Sequence, residues 1–119
     1  MDPRFLDHFN NPRNVGTLED AHGSATVSNP VCGDQITVTI RLDGEQVEGI
    51  AFKVLGCSGA IAAASSMSEM ADGKTLTEAR ALDVAAVDAA LGGLPTLKRH
   101  GADLAIAGLR AALDAAGDR

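Results

Sequence analysis

Two cysteines, one aspartate and one histidine stand where the sequence favours chemistry. Cys32 lies in Pro30-Val31-Cys32-Gly33-Asp34, a turn-rich stretch in which glycine permits unusual backbone angles and close approach to a bound group, with a carboxylate two residues on. Cys57 lies in Gly56-Cys57-Ser58-Gly59, where an alternating pattern gives way to a helical one. The positive end of a helix dipole at such a junction favours a thiolate. His100 follows a proline-containing break and precedes a long amphipathic segment. Cys32, Asp34, Cys57 and His100 supply four donors of sulfur, oxygen and nitrogen type, the number that a tetrahedral zinc ion or a small iron-sulfur cluster requires. No CxxC pair is present, so spacing alone does not specify a metal.

Each of these residues also has a plainer use. Cys57, and less readily Cys32 with its Pro30, Gly33 and Asp34 neighbours, serves as a small apolar residue at a tight junction, His100 as a surface or capping residue near a helix end, and Asp34 as a turn carboxylate. Met67 and Met70 are read as core filling.

The elements that must position these groups follow from the hydrophobic period. Asp2-Pro3 reads as an N-cap followed by proline at the first helical position, with Phe5, Leu6 and Phe9 as an apolar stripe and Pro12 closing the helix. Residues 24–29 form a candidate strand. Ile36, Val38, Ile40 and Leu42 then alternate with polar residues, Asp43-Gly44 offers a tight turn, and Ile50, Phe52 and Val54 resume the alternation, so residues 35–55 predict an antiparallel hairpin with one buried and one wet face. After Cys57 the period becomes helical until Gly73. Thr75 and Glu78 have the spacing of a capping box, Asp83 caps a further helix ending at Gly92-Gly93, and a final amphipathic helix begins near His100. Strands first and helices afterward predict an α+β fold, a small antiparallel sheet of about three strands with helices packed on one face.

At 119 residues and 45% hydrophobic content the chain fits one domain, residues 1–119, with one core. All three aromatics are phenylalanine, so that core is expected to be aliphatic and alanine-rich. A net charge of -6 without a basic run argues against a nucleic-acid partner. No apolar stretch is long enough for a membrane span or a secretory signal, which predicts a cytoplasmic protein whose cysteines are ligands, reactive thiols or core residues rather than a structural disulfide.

The succession of motifs resembles the IscU/NifU-type iron-sulfur cluster assembly scaffolds over roughly residues 2–114. Asn11-Pro12-Arg13-Asn14-Val15-Gly16 is similar to that family's N-terminal loop, Cys32-Gly33-Asp34 to its first ligand loop, and Phe52-Lys53 with Gly56-Cys57 to its second. Ala60-Ile61-Ala62 and Ser65-Ser66 extend the likeness into the helix, and Leu94-Pro95-Thr96-Leu97-Lys98 resembles the segment that a dedicated Hsp70-type chaperone reads in some members. The resemblance implies an IscU/NifU-like α+β fold. It also implies a non-enzymatic scaffold or carrier for a [2Fe-2S] cluster or iron, with zinc as the alternative metal. Cys32 and Cys57 would ligate metal or accept sulfur, and Asp34 and His100 would be further ligands. The partners it implies are a cysteine desulfurase, the chaperone and apo iron-sulfur proteins.

One position departs from the pattern. Gly101, which has no donor, stands where the family carries its third cysteine beside the histidine. Two further functions compete: a zinc-binding relative, since four donors of mixed type suit tetrahedral zinc, and, on account of Gly101, a cluster-free regulator of a desulfurase that kept the surface without the assembly chemistry. An enzyme built on a Cys-His-Asp constellation is disfavoured, since no oxyanion site or substrate pocket is recognisable. A cysteine substituted at Gly101 is expected to add a third thiolate next to His100, unless the backbone there needs a positive φ.

Overall fold

The computed structural model describes residues 2–30 and 33–117. Helix α1 (Pro3–Asn10) starts at Asp2, whose carboxylate accepts the amide N–H of Arg4 at 2.8 Å. Three antiparallel strands follow, β1 (Gly23–Ser28), β2 (Gln35–Asp43) and β3 (Gln46–Leu55), in spatial order β1-β2-β3. The hairpin closes one residue later than the Asp43-Gly44 dipeptide suggests. Asp43 pairs with Gln46, which leaves Gly44 and Glu45 as the turn residues, and Gly44 takes the positive φ of 60° required at the first of them.

The rest of the domain is helical: α2 (Ser58–Ala71), α3 (Leu76–Arg80), α4 (Val84–Ala90), a 3-10 turn (Thr96–Lys98) and α5 (His100–Gly117). The Thr75/Glu78 capping box forms in both directions and Asp83 caps α4 through the N–H of Ala86. Helices α2 and α5 lie on one face of the sheet, α5 across β1 and β2 and α2 against β3, with α1 outside α2.

The period-two residues Ile36, Val38, Ile40 and Leu42 are buried beneath those helices together with Ile50 and Phe52. Helix α2 is buried on nearly all sides, Ala60, Ala62, Ala63, Ala64, Ser65, Ser66, Met67 and Ser68 being at most 2% exposed. A helix of such small residues serves as a central rod that neighbours approach closely. Helix α5 exploits the same device against the sheet, since a Cβ on Gly23 would lie 2.4 Å from the Ala112 carbonyl oxygen.

Two expectations are corrected. In α1 the core takes Phe5 and His8, whereas Leu6 and Phe9 are 42% and 38% exposed. The helix presents a polar residue inward because α2 offers it a partner: His8 Nδ1 lies 2.8 Å from Ser65 Oγ. The outer face of the sheet is also not uniformly wet. Thr39 is 3% exposed under the segment after α1, whose Leu18 N–H donates to Thr39 Oγ1 at 3.1 Å.

That segment is fixed at several points. Asn14 adopts φ 61°, Phe52 N–H donates to the Asn14 carbonyl at 2.9 Å, and Gly16 N–H donates to the Phe52 carbonyl at 2.8 Å, which bridges Val15 to the free edge of β3. Arg13 N–H donates to Ser65 Oγ at 2.9 Å, and Asn14 Nδ2 to Ser68 Oγ at 3.0 Å. Ser65 and Ser68 of α2 are therefore not exchangeable with its alanines. Burial of His8, reinforced by the Arg13 charge, pushes its imidazole pKa below the usual histidine value.

Candidate metal centre

Three elements end at one place. The loop from β1 to β2 is closed by backbone bonds, Asn29 N–H to the Asp34 carbonyl at 2.7 Å and Gly33 N–H to the Asn29 carbonyl at 2.8 Å, with Gly33 at φ 76°. It delivers Asp34 to the start of β2, 9% exposed. Cys57 is the N-cap residue of α2, half-buried, and its side chain makes no capping hydrogen bond, so the sulfur remains available. His100 opens α5.

His100 Nε2 lies 3.6 Å from Cys57 Sγ and 3.3 Å from Asp34 Oδ2, and the donor atoms of all three residues fall within 4.8 Å of one another. Two donors bonded to one tetrahedral ion at 2.0–2.3 Å are separated by about 3.5 Å, so these distances match the edges of such a coordination polyhedron. Asp34 Oδ2 is buried and accepts no hydrogen bond among the described residues, with the His100 imidazole 3.3 Å away as a potential ion-pair partner. An orphaned buried carboxylate oxygen is costly unless a cation meets it. Of the four residues singled out from the sequence, Asp34, Cys57 and His100 are brought together; Cys32 lies outside the described residues.

Gly101 sits in the first turn of α5 with ordinary helical backbone, so the positive-φ explanation for glycine does not apply. It is buried because α5 meets α2 backbone to backbone. A Cβ on Gly101 would lie 2.6 Å from the Gly59 carbonyl carbon and 2.7 Å from Ala60 N. The expectation that a cysteine here simply adds a thiolate is therefore corrected: no side chain fits at position 101 without parting the two helices that carry Cys57 and His100.

Sequence reading missed three contributors. Gly56 leaves room for the carboxylate, since its Cβ would stand 2.9 Å from Asp34 Cγ. Gly59 accepts the stem of Lys98, whose Cβ would be 2.9 Å from a Cβ at 59. Lys98 Nζ donates to Ser58 Oγ at 2.7 Å and lies 5.9 Å from the centre of the Phe5 ring. Glycines on both sides of Cys57 were the available signal for the first two.

A small α+β domain gathers a thiol, a carboxylate and an imidazole at one end of its sheet, a candidate mixed-donor metal site. The chain belongs to the NifU-like N-terminal domain family, whose sequence model matches residues 2–117. It is 50% identical over 110 residues to an iron-sulfur cluster assembly scaffold protein IscU of Archaeoglobus fulgidus, covering 92% of this chain and 72% of that protein. Its identity to the IscU scaffold of Aquifex aeolicus is 43% over 112 residues, 92% of this chain and 71% of the relative. Among solved structures, the N-terminal NifU-like protein of Brucella abortus superposes with a TM-score of 0.78 at 20% identity, over 99% of this chain and 94% of that one, which establishes likeness of fold. No helix among the described residues is long and apolar enough to cross a membrane.

Proposed function

We propose that this protein is a non-enzymatic scaffold or carrier that holds a [2Fe-2S] cluster, or iron before it, through Cys32, Asp34, Cys57 and His100, and hands it to apo iron-sulfur proteins in the cytoplasm. The cluster is cargo, so a site of mixed donors suits it: carboxylate and imidazole hold iron less firmly than thiolate and favour release. The observation that carries the reading is Asp34 Oδ2, buried and without a hydrogen bond among the described residues, gathered with Cys57 and His100. The names of the 50% and 43% identical relatives point the same way. The partners that fit are a cysteine desulfurase as sulfur source and an Hsp70-type chaperone reading Leu94-Lys98, a segment whose Leu97 is 88% exposed.

Zinc is the second reading, favoured by the 3.3 and 3.6 Å donor separations, which suit a single tetrahedral ion. Metal and acid-labile sulfide analysis of protein purified without oxygen, with a visible spectrum, separates the two. The chain has no Trp or Tyr, so cluster absorption stands out against weak protein absorbance. Iron and sulfide in equal amount, lost in Cys57→Ser, are expected. Stoichiometric zinc without sulfide would replace the cluster reading by the zinc one. Protein that takes up neither after anaerobic reconstitution would sink both and leave the desulfurase regulator.

A further inference from the structure

Lys98 is placed against the ordinary electrostatics of a helix. Its ammonium group stands at the N-terminal end of α2, where the macrodipole disfavours a cation, and no carboxylate pairs with it among the described residues. A surface lysine in that position would be expected to turn its head into water. Lys98 instead turns inward, donates to Ser58 Oγ and rests over the Phe5 ring, while the bare Cα of Gly59 admits its stem. These contacts fasten the 3-10 turn that leads into His100 onto the residues that immediately follow Cys57.

We propose that Lys98 is a positioning residue of the metal centre: through Ser58 it sets the approach of His100 to Cys57. The inference rests on the metal-site reading above, but its cause is separable from it. Gly101 already brings α5 against the backbone of Gly59 and Ala60, a close contact that is not itself directional. The hydrogen bond from Lys98 is a directional contact with one preferred geometry, and it acts two residues before the imidazole. Among the described residues Lys98 bonds to Ser58 and not to Asp34, Cys57 or His100, so its effect passes through His100.

The test has two readouts, one of which needs no metal. In metal-free protein, the ring resonances of His100 are compared by heteronuclear magnetic resonance in the parent, Lys98→Met, Ser58→Ala and the double variant, with Lys74→Met as an exposed-charge control. Lys98→Met and Ser58→Ala are each expected to shift the His100 ring, and the double variant to shift it no further, because one contact is removed in all three. Parental His100 resonances in a folded Lys98→Met protein would overturn the proposal, as would shifts that add in the double variant.

In the second readout, Co(II) affinity and its visible d–d bands are measured by competition titration. Lys98→Met is expected to weaken Co(II) by about tenfold, in keeping with loss of a partly exposed charge-assisted hydrogen bond, and to alter the bands. Lys98→Arg is expected to restore both. An equal loss in Lys74→Met would refute positioning and leave a bulk charge effect. Failure of the parent itself to bind Co(II) would defeat the metal-site reading, and the His100 resonances would still decide the role of Lys98.

Discussion

Replacing Gly101 by alanine or cysteine places a Cβ 2.6 Å from the Gly59 carbonyl carbon and 2.7 Å from both Gly59 O and Ala60 N. Ordinary heavy-atom contact is at about 3.5–4.0 Å, so α2 and α5 must move apart by about 1 Å at this point. The opposing atoms are backbone and cannot rotate away. Overpacking of this kind costs about 1–3 kcal/mol, against which the gain in helix propensity over glycine is about 1 kcal/mol for alanine and less for cysteine. The net loss, up to about 2 kcal/mol for alanine, corresponds to a fall in Tm of up to roughly 8 °C for a domain of this size. Thermal unfolding of metal-free Gly101→Ala and Gly101→Cys measures it, and the two should fall together because the Cβ is the common cause. His100 moves with α5, so Gly101→Cys is also expected to bind Co(II) no more tightly than the parent despite its added thiol. A rise in Tm for Gly101→Ala, as propensity alone dictates, would refute the close-approach argument.

Gly56→Ala pushes a methyl group to within 2.9 Å of Asp34 Cγ, and is expected to cut Co(II) affinity tenfold or more by displacing the carboxylate, while circular dichroism remains that of the parent. Ser65→Ala leaves the Arg13 N–H without its acceptor and removes the partner of His8 Nδ1, so chemical denaturation should show a loss of about 1–3 kcal/mol. The lowered pKa of His8 means that the unfolded chain takes up its proton first as pH falls. This contribution to stability is fully present above the unfolded value of about 6.5 and is lost as pH drops below it toward the depressed folded value, by at most about 1.4 kcal/mol per pH unit. The slope of Tm between pH 7.5 and 5.5 should therefore flatten in His8→Gln; an unchanged slope would assign the pH dependence elsewhere.

The sheet was legible because Ile36, Val38, Ile40 and Leu42 obey a strict period of two, and the helices because Asp2, Thr75 and Asp83 announce their starts. The gathering of Asp34, Cys57 and His100 could be expected from their common position at element junctions, since each lies where a loop delivers a strand or helix. Other features needed the third dimension. The burial of His8 in place of Leu6 and Phe9 depends on where α2 offers Ser65, and hydrophobicity along α1 contains no trace of that. The reason for glycine at 101 is likewise a property of a neighbouring helix: sequence assigns glycine a conformational role, whereas here it supplies absence of volume. Lys98 read as part of a segment resembling a chaperone-recognition motif, and nothing in its neighbours along the chain foretold that its head turns back to Ser58.

The clasp of Asn14 and Gly16 on Phe52 bears on how this sheet meets other polypeptides. A strand edge with unpaired amides is a template for further strands, and β3 would be one beside a largely apolar core. The N-terminal loop occupies those amides at Phe52, so another chain cannot dock there by strand addition until Asn14-Val15-Gly16 is withdrawn. Removing α1 and this loop would do more than shorten the protein. It would uncover a sticky border open to edge-to-edge pairing, which makes the Asn11–Gly16 segment a guard against aggregation as well as a family signature.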